Sequence, residues 1–587
     1  MSSYFLNVER SASDFKWIGP TEEEDRRALS ISQSFGVSNL TGLLISKRNI
    51  AFEDVGNFLN PKLKYLMPDP YNLAGMEVAA KRIYRALEAK ESVCIFADYD
   101  VDGTVSASVL KIWLKAFNLD PEIYIPDRIT EGYGLNCAAM KKISEKHELI
   151  ICVDCGTLSH EPIEVANKNG TDVLVIDHHQ SNKQLPPALA VVNPKREDDL
   201  SNLSYLCAAG VVFLLLVAVN RLVKLENKTP PDIIKLLDLV ALATVADVVP
   251  LVDLNRAIVR QGLKVFAKRD RPGLTALGDL AKISEKPNCY HLGFLIGPRI
   301  NAAGRLSDAK LAVKLLTTND PNEAKEVALK LNELNTQRKK VEEEALNDAI
   351  NQVESKSNLK TLVWAASPQW HQGIIGIVAS RLKERYDKLS LVFSVNKEGI
   401  AIGSARSTKA TDIGTIVRDL FNSGKILSGG GHAMAAGLKL QSKNINKIMS
   451  EIDSELLSSR KSDMTTKLLT VDGLISTKGA TTNLVEEINN VGPFGANNPS
   501  PRIAIANCKI KYLKVLAEKH IKFVCQDDSG QNLEAIYFNG CSNKAGSTLL
   551  SNKSKYFHLC GHLDINEWGG YRRVVLQISD IAISENI

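Results

Sequence analysis

Short apolar runs rich in β-branched residues punctuate the first third of the chain, at 93–97, 149–153 and 173–176. Runs of that length, apolar without alternation, predict strands buried on both faces of a parallel sheet. A further strand is expected at 122–125. Between the strands the apolar period changes: Val105, Val109, Ile112 and Ala116 recur at helical spacing after Thr104, and helices are expected near 137–147 and 161–169. The alternation is a βαβ series. Mostly helical sequence follows to about 318. Within it, from Ile233 to Asp247, Leu236, Val240, Ala243 and Asp247 share one stripe.

At 587 residues the chain is too long for one core. Its changes of pattern divide it into a helical lead-in at 1–75, ending in the turn-rich Pro68-Asp69-Pro70-Tyr71-Asn72, and an α/β lobe at 76–318. A connector at 319–357 is dominated by one long helix at 320–354, charged around Gln337 to Glu344 and solvated over most of its surface. A second α/β lobe at 358–460 contains strands at 361–365, 389–395 and 400–404, a helix at 374–385, and the glycine run Gly429-Gly430-Gly431 before His432. The last part, 461–587, alternates as five short strands near 503–513, 520–526, 533–538, 556–563 and 573–579, which suits a small β-barrel.

Acids and imidazoles stand at the ends of the apolar runs of the first lobe: Asp98-Tyr99-Asp100-Val101-Asp102-Gly103, Asp154, Asp177-His178-His179, and Asp247. Ligands of open α/β sheets sit beyond the carboxyl ends of the strands. The five carboxylates and two imidazoles of the first three clusters, gathered there, would repel one another unless a cation held them. Asp247, near a helix C-terminus where negative charge is disfavoured, fits the same cation, although pairing with a buried arginine or capping a turn would also satisfy it. The clusters predict a divalent-metal site, with Asp98, Asp100, Asp102, Asp154, His178 and Asp247 as ligands. Oxygen donors select hard cations, and an added imidazole favours Mn²⁺ over Ca²⁺. Two ions could share a bridging aspartate, for which Asp154 is the candidate, and activate a water for attack on phosphorus. His179 would face the scissile phosphate or steady its neighbours, so His179 and Asp154 are the expected catalytic residues.

Charge and composition add less. A net charge of +5 and a pI near 8.5 are compatible with a polyanionic substrate and decide nothing alone. No basic region followed by an apolar stretch opens the chain, and the longest apolar run, 208–219, reads as a core helix rather than a membrane span. Ten cysteines without a framework fit reduced thiols and a cytoplasmic protein. Cys152 and Cys155 form a lone C-x-x-C and read as small packing residues.

In the second lobe, Ser404 and Arg406 lie two apart on a strand and could hold a terminal phosphate, while Gly430, Gly431 and His432 could contact a phosphate from the opposite side of a cleft. Arg299 and Arg305 are candidates to track a phosphate backbone, with structural ion pairs as an equal alternative; Arg128 is a weaker candidate. His371 either binds substrate or caps the helix at Gly373. In the last part, Lys509, Lys511, Lys514, Lys519, Lys522, Lys553, Lys555, Arg572 and Arg573 are spread among Tyr512, Phe523, Tyr556, Phe557 and Tyr571. That mixture suits either single-stranded nucleic acid or a barrel core with soluble edges.

The four acidic clusters, in order and spacing, resemble the motifs of the DHH phosphoesterase superfamily. The segments from Gly297 to Leu306 and from Trp370 to Gly376 are similar to those of its single-strand-specific exonucleases. Gly403-Ser404-Ala405-Arg406-Ser407 and Ser428 to His432 resemble the DHH-associated domain, and the terminal part resembles the family's oligonucleotide-binding (OB) fold. The resemblance implies a processive 5′→3′ exonuclease on single-stranded DNA, releasing mononucleotides with two Mn²⁺ or Mg²⁺ ions. It would act as a monomer in DNA recombination and repair, behind a helicase and with single-strand-binding protein, and away from membranes. The alternative is a DHH phosphodiesterase acting on short RNA oligonucleotides or cyclic dinucleotides; a metal-dead DNA-binding accessory protein is disfavoured by the complete carboxylate clusters. One departure is visible: Pro493-Phe494-Gly495-Ala496-Asn497-Asn498-Pro499 has Asn497 where family members tend to have glycine, and asparagine tolerates the left-handed backbone such a turn needs.

Overall fold

Val93–Ala97, Leu149–Val153 and Asp172–Ile176 are wholly or almost wholly buried strands, as unbroken apolar runs require, and they form the centre of a five-stranded parallel sheet. The computed structural model describes residues 4–584 except 129, 133, 285, 357–359, 460–466 and 569. The sheet order places Glu122–Tyr124 at one edge and Ala190–Val192 at the other. Ala190–Val192 was not expected; three residues are too few to show a period. Helices Cys137–Ser144 and His160–Lys168 cover one face through Met140, Ile143 and Ile163, against which Cys94, Phe96, Cys152 and Cys155 pack. On the other side, Val101–Lys115 packs with Ala208–Leu225 and Leu237–Ala246. Ala208–Leu225 has the length and apolarity of a membrane span, and 72% of it is buried inside the lobe, as a core helix would be.

The connector is one helix, Pro321–Ser355, started by Asp320 as N-cap with proline at the first turn. The second lobe has a five-stranded sheet in the order Ser428–His432, Ala435–Gln441, Ile400–Arg406, Leu389–Val395, Leu362–Ser367, in which only the last pair is parallel. The glycine run is therefore its edge strand rather than a loop. The boundaries expected at 357/358 and 460/461 lie outside the described residues.

The chain divides into two compact units: residues 68–247 with 261–463, which hold both α/β lobes, and residues up to Met67 with 248–260 and 464–587. The lead-in expected at 1–75 is thus no separate layer, and residues 248–260, expected in the first lobe, belong to the second unit. Within that unit Phe15–Ile18 pairs in parallel with Lys467–Thr470, and the buried Trp17 donates from Nε1 to Asp580 Oδ2 at 2.8 Å. Arg256, also buried, donates to the Phe58 and Val491 carbonyls, each at 2.9 Å. The barrel runs Ile503–Leu516, His520–Gln526, Asn532–Tyr537, Tyr571–Ile583 and Tyr556–Trp568, the last closing back on the first. Asn497 sits at φ 56°, so the turn keeps its left-handed residue without glycine.

Candidate metal centre and anion cleft

Ala97, Val153, Ile176 and Val192 lie in one cross-strand row of the parallel sheet. The next residue of each strand is therefore Asp98, Asp154, Asp177 and Asn193, all delivered to the same edge. Asp154 N–H donates to Ile176 O and Asp177 N–H to Val192 O, each at 3.0 Å, so the sheet's own ladder fixes both backbones. Asp154 adopts φ 60°, which turns its carboxylate out of the strand's alternation; Cys152 keeps to the core. Gly103 has a steric reason: a β-carbon there would stand 2.4 Å from the Asp98 carbonyl.

Asp100 caps the helix Val101–Lys115 by accepting from the N–H groups of Asp102 and Gly103 at 2.8 and 3.1 Å. Asp102 does the same at a distance. Its two oxygens accept from Ala208 N–H (2.6 Å) and Ala209 N–H (2.9 Å), the first turn of a helix whose own N-cap, Cys207, makes no side-chain cap. His178 Nε2 lies 3.3 Å from Asp154, 3.6 Å from Asp247 and 3.7 Å from Asp102. His179 Nδ1 bonds Asp177 Oδ1 at 2.7 Å, and Asp177 Oδ2 accepts from Thr157 Oγ1 at 2.6 Å. Asn193 donates to Thr157 Oγ1 and to the His179 carbonyl, both at 2.9 Å. Asp177, Thr157 and Asn193 thus orient His179, a role that sequence reading had not assigned. Asn193 stands one residue beyond the short strand that also escaped notice.

Ligand atoms fall into three overlapping groups, each within 4.8 Å: Asp98, Asp100 and Asp154; Asp102, His178 and Asp247; and Asp154, His178 and His179. The site fits a hard divalent cation by its own chemistry. Asp98 Oδ1 and Asp154 Oδ1 are buried and accept no hydrogen bond. Burial, then the neighbouring Asp100, pushes Asp98 well above the usual carboxylate range and Asp102 to about 7. Burial and then Asp102 raise Asp154 strongly and Asp247 to about 8. Such groups hold protons unless a cation replaces them. Burial, with the charge of His179, lowers His178 to about 3, leaving a neutral imidazole fit to ligate. For His179, burial is the largest influence and works against charge, but the Asp177 hydrogen bond and the charges of Asp177, Asp98 and Asp247 together outweigh it and raise the imidazole to about 9. Burial opposes the charge of Asp177 too, and the bonds from His179 and Thr157 hold it below its ordinary value.

Beside this cluster lies a set of cations. Arg128 stacks over the Tyr99 ring at 4.9 Å, and its charge helps to depress Arg305, Arg406 and His371, burial being the larger cause for each. Among the described residues, none of Arg128, Arg305 and Arg406 has a carboxylate salt-bridge partner. Arg305 donates to the Gly373 carbonyl at 2.7 Å, joining the two lobes, and Arg406 donates to Ser404 Oγ at 3.1 Å. A β-carbon at Gly376 would stand 3.1 Å from both Arg406 and Ser404, and one at Gly304 would stand 2.6 Å from the Tyr99 carbonyl, so both glycines permit close packing here. His371 Nδ1 accepts from Gly373 N–H at 3.1 Å, in the turn before the helix Ile375–Tyr386, whose N-cap Ile374 provides no side-chain cap. Arg299 is spent differently from the expectation of backbone tracking or an ion pair: it donates to Leu295 O and to Asn332 on the connector. Gly430, Gly431 and His432 are exposed on the edge strand, where Gly431 is sterically required: a β-carbon would reach within 2.4 Å of the Ala435 carbonyl.

On the barrel the aromatics divide. Phe523 and Phe557 are core; Tyr512 and Tyr571 are 74% and 72% exposed. Lys522, Arg572 and Arg573 pair with Glu534, Glu567 and Glu534 respectively, while Lys509, Lys511 and Lys514 are exposed.

Comparison with known proteins matches residues 92–244 to the DHH family N-terminal domain, 357–458 to the DHHA1 domain and 471–580 to the RecJ OB domain. The single-stranded-DNA-specific exonuclease RecJ of Bacillus subtilis is 33% identical over 98% of this chain and 72% of its own length. The crystal structure of Thermus thermophilus RecJ in complex with Mn²⁺ superposes with a TM-score of 0.80 at 26% identity, covering 96% of this chain and 79% of that one. The same enzyme's structure in complex with Mg²⁺, at 24% identity and a TM-score of 0.73, shares the fold.

Proposed function

This chain belongs to the RecJ family of single-stranded-DNA-specific exonucleases, and from that premise we propose how its own residues perform the hydrolysis. The enzyme is a metal-dependent nuclease acting on single-stranded DNA. Asp98, Asp100 and Asp154 would hold one Mn²⁺ or Mg²⁺ and Asp102, His178 and Asp247 a second, with Asp154 the candidate to serve both; the overlapping ligand groups and the two orphaned oxygens support this reading. Bound there, the ions supply Lewis-acid charge for the phosphate and a water acidic enough to attack phosphorus. His178, held neutral by burial, would offer Nε2, which faces Asp102, Asp154 and Asp247, as a ligand. His179, its Nδ1 fixed by Asp177, keeps a proton on Nε2, hydrogen-bonds the scissile phosphate, and passes that proton to the leaving 3′-oxygen. Arg128, Arg305, Arg406 and Ser404 hold the terminal 5′-phosphate, with Gly430, Gly431 and His432 lining the opposite side; charge-assisted contacts of this kind fix register without reading sequence.

Polarity 5′→3′, release of mononucleotides, monomeric and cytoplasmic operation in recombination and repair, and cooperation with a helicase and single-strand-binding protein complete the proposal. The observation that carries it is the convergence of four separate acidic motifs in one largely buried cluster beside arginines that have no carboxylate partner among the described residues. End-labelled single- and double-stranded DNA, incubated with Mn²⁺, Mg²⁺ or chelator, tests it. Mononucleotides from the 5′ end of single strands, only with metal, are expected; products from the 3′ end would reverse the phosphate assignment. The short-oligonucleotide phosphodiesterase alternative predicts instead that dinucleotides outcompete long strands.

A further inference from the structure

Tyr290 and Phe294 are 58% and 71% exposed, yet their rings stack on each other with centroids 5.3 Å apart and planes 20° from parallel. Two large aromatics facing water in mutual contact are a costly arrangement for a surface with nothing to bind. Their backbone is unusual as well. Phe294 lies inside a single π-helical turn, His291–Ile296, and Tyr290 is its N-cap. Such turns cost hydrogen-bond geometry and concentrate at functional sites.

The turn is anchored on both sides. Asn288 N–H donates to His291 Nδ1, and His291 N–H to Asn288 Oδ1, both at 3.2 Å, with the His291 ring buried. A β-carbon at Gly293 would stand 3.2 Å from Val245 Cγ1; one at Gly297 would stand 3.6 Å from Ala246 Cβ and 4.0 Å from Val101 Cγ2. Val245 and Ala246 immediately precede Asp247, and Val101 lies between Asp100 and Asp102. The aromatic pair is therefore carried by a turn packed on the two segments that present metal ligands. Phe294 is three residues and Tyr290 seven residues from Gly297, so at a helical rise the rings stand about 5–10 Å along the axis from that contact.

We infer that Tyr290 and Phe294 form a base-stacking platform for the single strand as it enters the metal centre, a specificity element for unpaired bases. The inference rests on the nuclease reading above. A flat aromatic face accepts any nucleobase, which suits a nuclease that must take every sequence, and a base held in a duplex does not present its face to such a platform. Stacking needs a π-face rather than mere apolarity, and this distinguishes it from a docking patch for a protein.

The test uses full-length enzyme and a 5′-phosphorylated oligo(dT) carrying a single abasic residue at successive positions. Binding is measured in chelator, where the strand is held without being cut, and cleavage is measured with Mn²⁺. One or two positions near the 5′ end should weaken wild-type binding when abasic. Tyr290→Leu/Phe294→Leu should raise Kd and KM roughly five- to a hundred-fold, the range of base–aromatic stacking, with kcat little changed. It should also erase the abasic sensitivity, and Tyr290→Trp/Phe294→Trp should restore it. Tyr65→Ala, removing an equally exposed aromatic elsewhere, is the control expected to bind as wild type. Uniform tolerance of abasic residues by the wild type, or full binding by the leucine variant, overturns the platform even with cleavage intact. Position-dependent binding by an enzyme that fails to cleave in Mn²⁺ leaves the platform standing and refutes the nuclease reading.

Discussion

The metal centre and the barrel serve one polyanion in opposite ways. In the centre, Asp98, Asp102, Asp154 and His178 are buried and held by strand ends, helix caps and close glycine contacts. In the barrel, Tyr512, Tyr571 and the lysines around them stand exposed on a closed sheet whose core is complete without them. A buried charged cluster is set by geometry and fails as a unit; an exposed surface works by the sum of many weak contacts and degrades gradually. Substitutions should separate the two regions in size and in kind of effect.

The largest effect belongs to the centre. Asp154→Ala removes the carboxylate common to two ligand groups and should reduce cleavage by about 10³-fold or more while leaving binding of single strands measurable, since several kcal/mol of charge stabilisation is lost. Single-turnover cleavage in Mn²⁺ checks this, and near-normal activity would break the contrast. Next comes the anion cleft. Arg406→Ala should cut the preference for a 5′-phosphate over a 5′-hydroxyl by about 10- to 100-fold, the worth of a charged hydrogen bond, read as the ratio of kcat/KM for the two ends. On the barrel, Tyr512→Ala and Tyr571→Ala should each raise KM for long strands by roughly five-fold or more and leave cleavage of dinucleotides alone. A fall in kcat instead would mean that the barrel shapes the chemistry.

The smallest effect is one of pH on stability, and its sign is fixed by the centre. Carboxylates raised above their ordinary value stabilise the fold while protonated, and that contribution is lost as pH rises through the folded values, about 7 for Asp102 and about 8 for Asp247. His179, raised to about 9, acts in the same direction at the top of this range. His178, lowered to about 3, opposes only below its ordinary value near 6.5. Between pH 6.5 and 9, therefore, the Tm of chelator-treated protein should fall as pH rises, and Mn²⁺ should flatten the slope. A metal-free Tm that rises over this window would show that the carboxylates are not held as the geometry implies.

The same contrast explains what the sequence made legible. The strand ends and their acids could be read because unbroken β-branched runs have one common explanation, and acids repeated at neighbouring strand ends repel one another unless a cation joins them. Asn193 could not be read from its strand, which is three residues long. Asp102 as a remote helix cap left a trace that could have been followed: the helix from Ala208 begins with Cys207 and no local capping side chain, so its first N–H groups needed an acceptor from elsewhere. The barrel's aromatics were ambiguous for a local reason. Cys508 and Ile510 point inward, and simple alternation would bury Tyr512. A bulge between Ile510 and Tyr512 shifts the phase and turns the tyrosine out, while Phe523 on the regular neighbouring strand stays in the core. The lead-in is largely helical, as read, but its strand Phe15–Ile18 escaped because its partner lies more than four hundred residues away, at Lys467–Thr470.

Crystals soaked in Mn²⁺ and measured at the manganese absorption edge give the most direct test of the central claim. Anomalous peaks are expected among Asp98, Asp100 and Asp154 and among Asp102, His178 and Asp247, with both peaks lost in Asp154→Ala. No peak among these side chains, from crystals whose enzyme cleaves single strands in Mn²⁺, would contradict it.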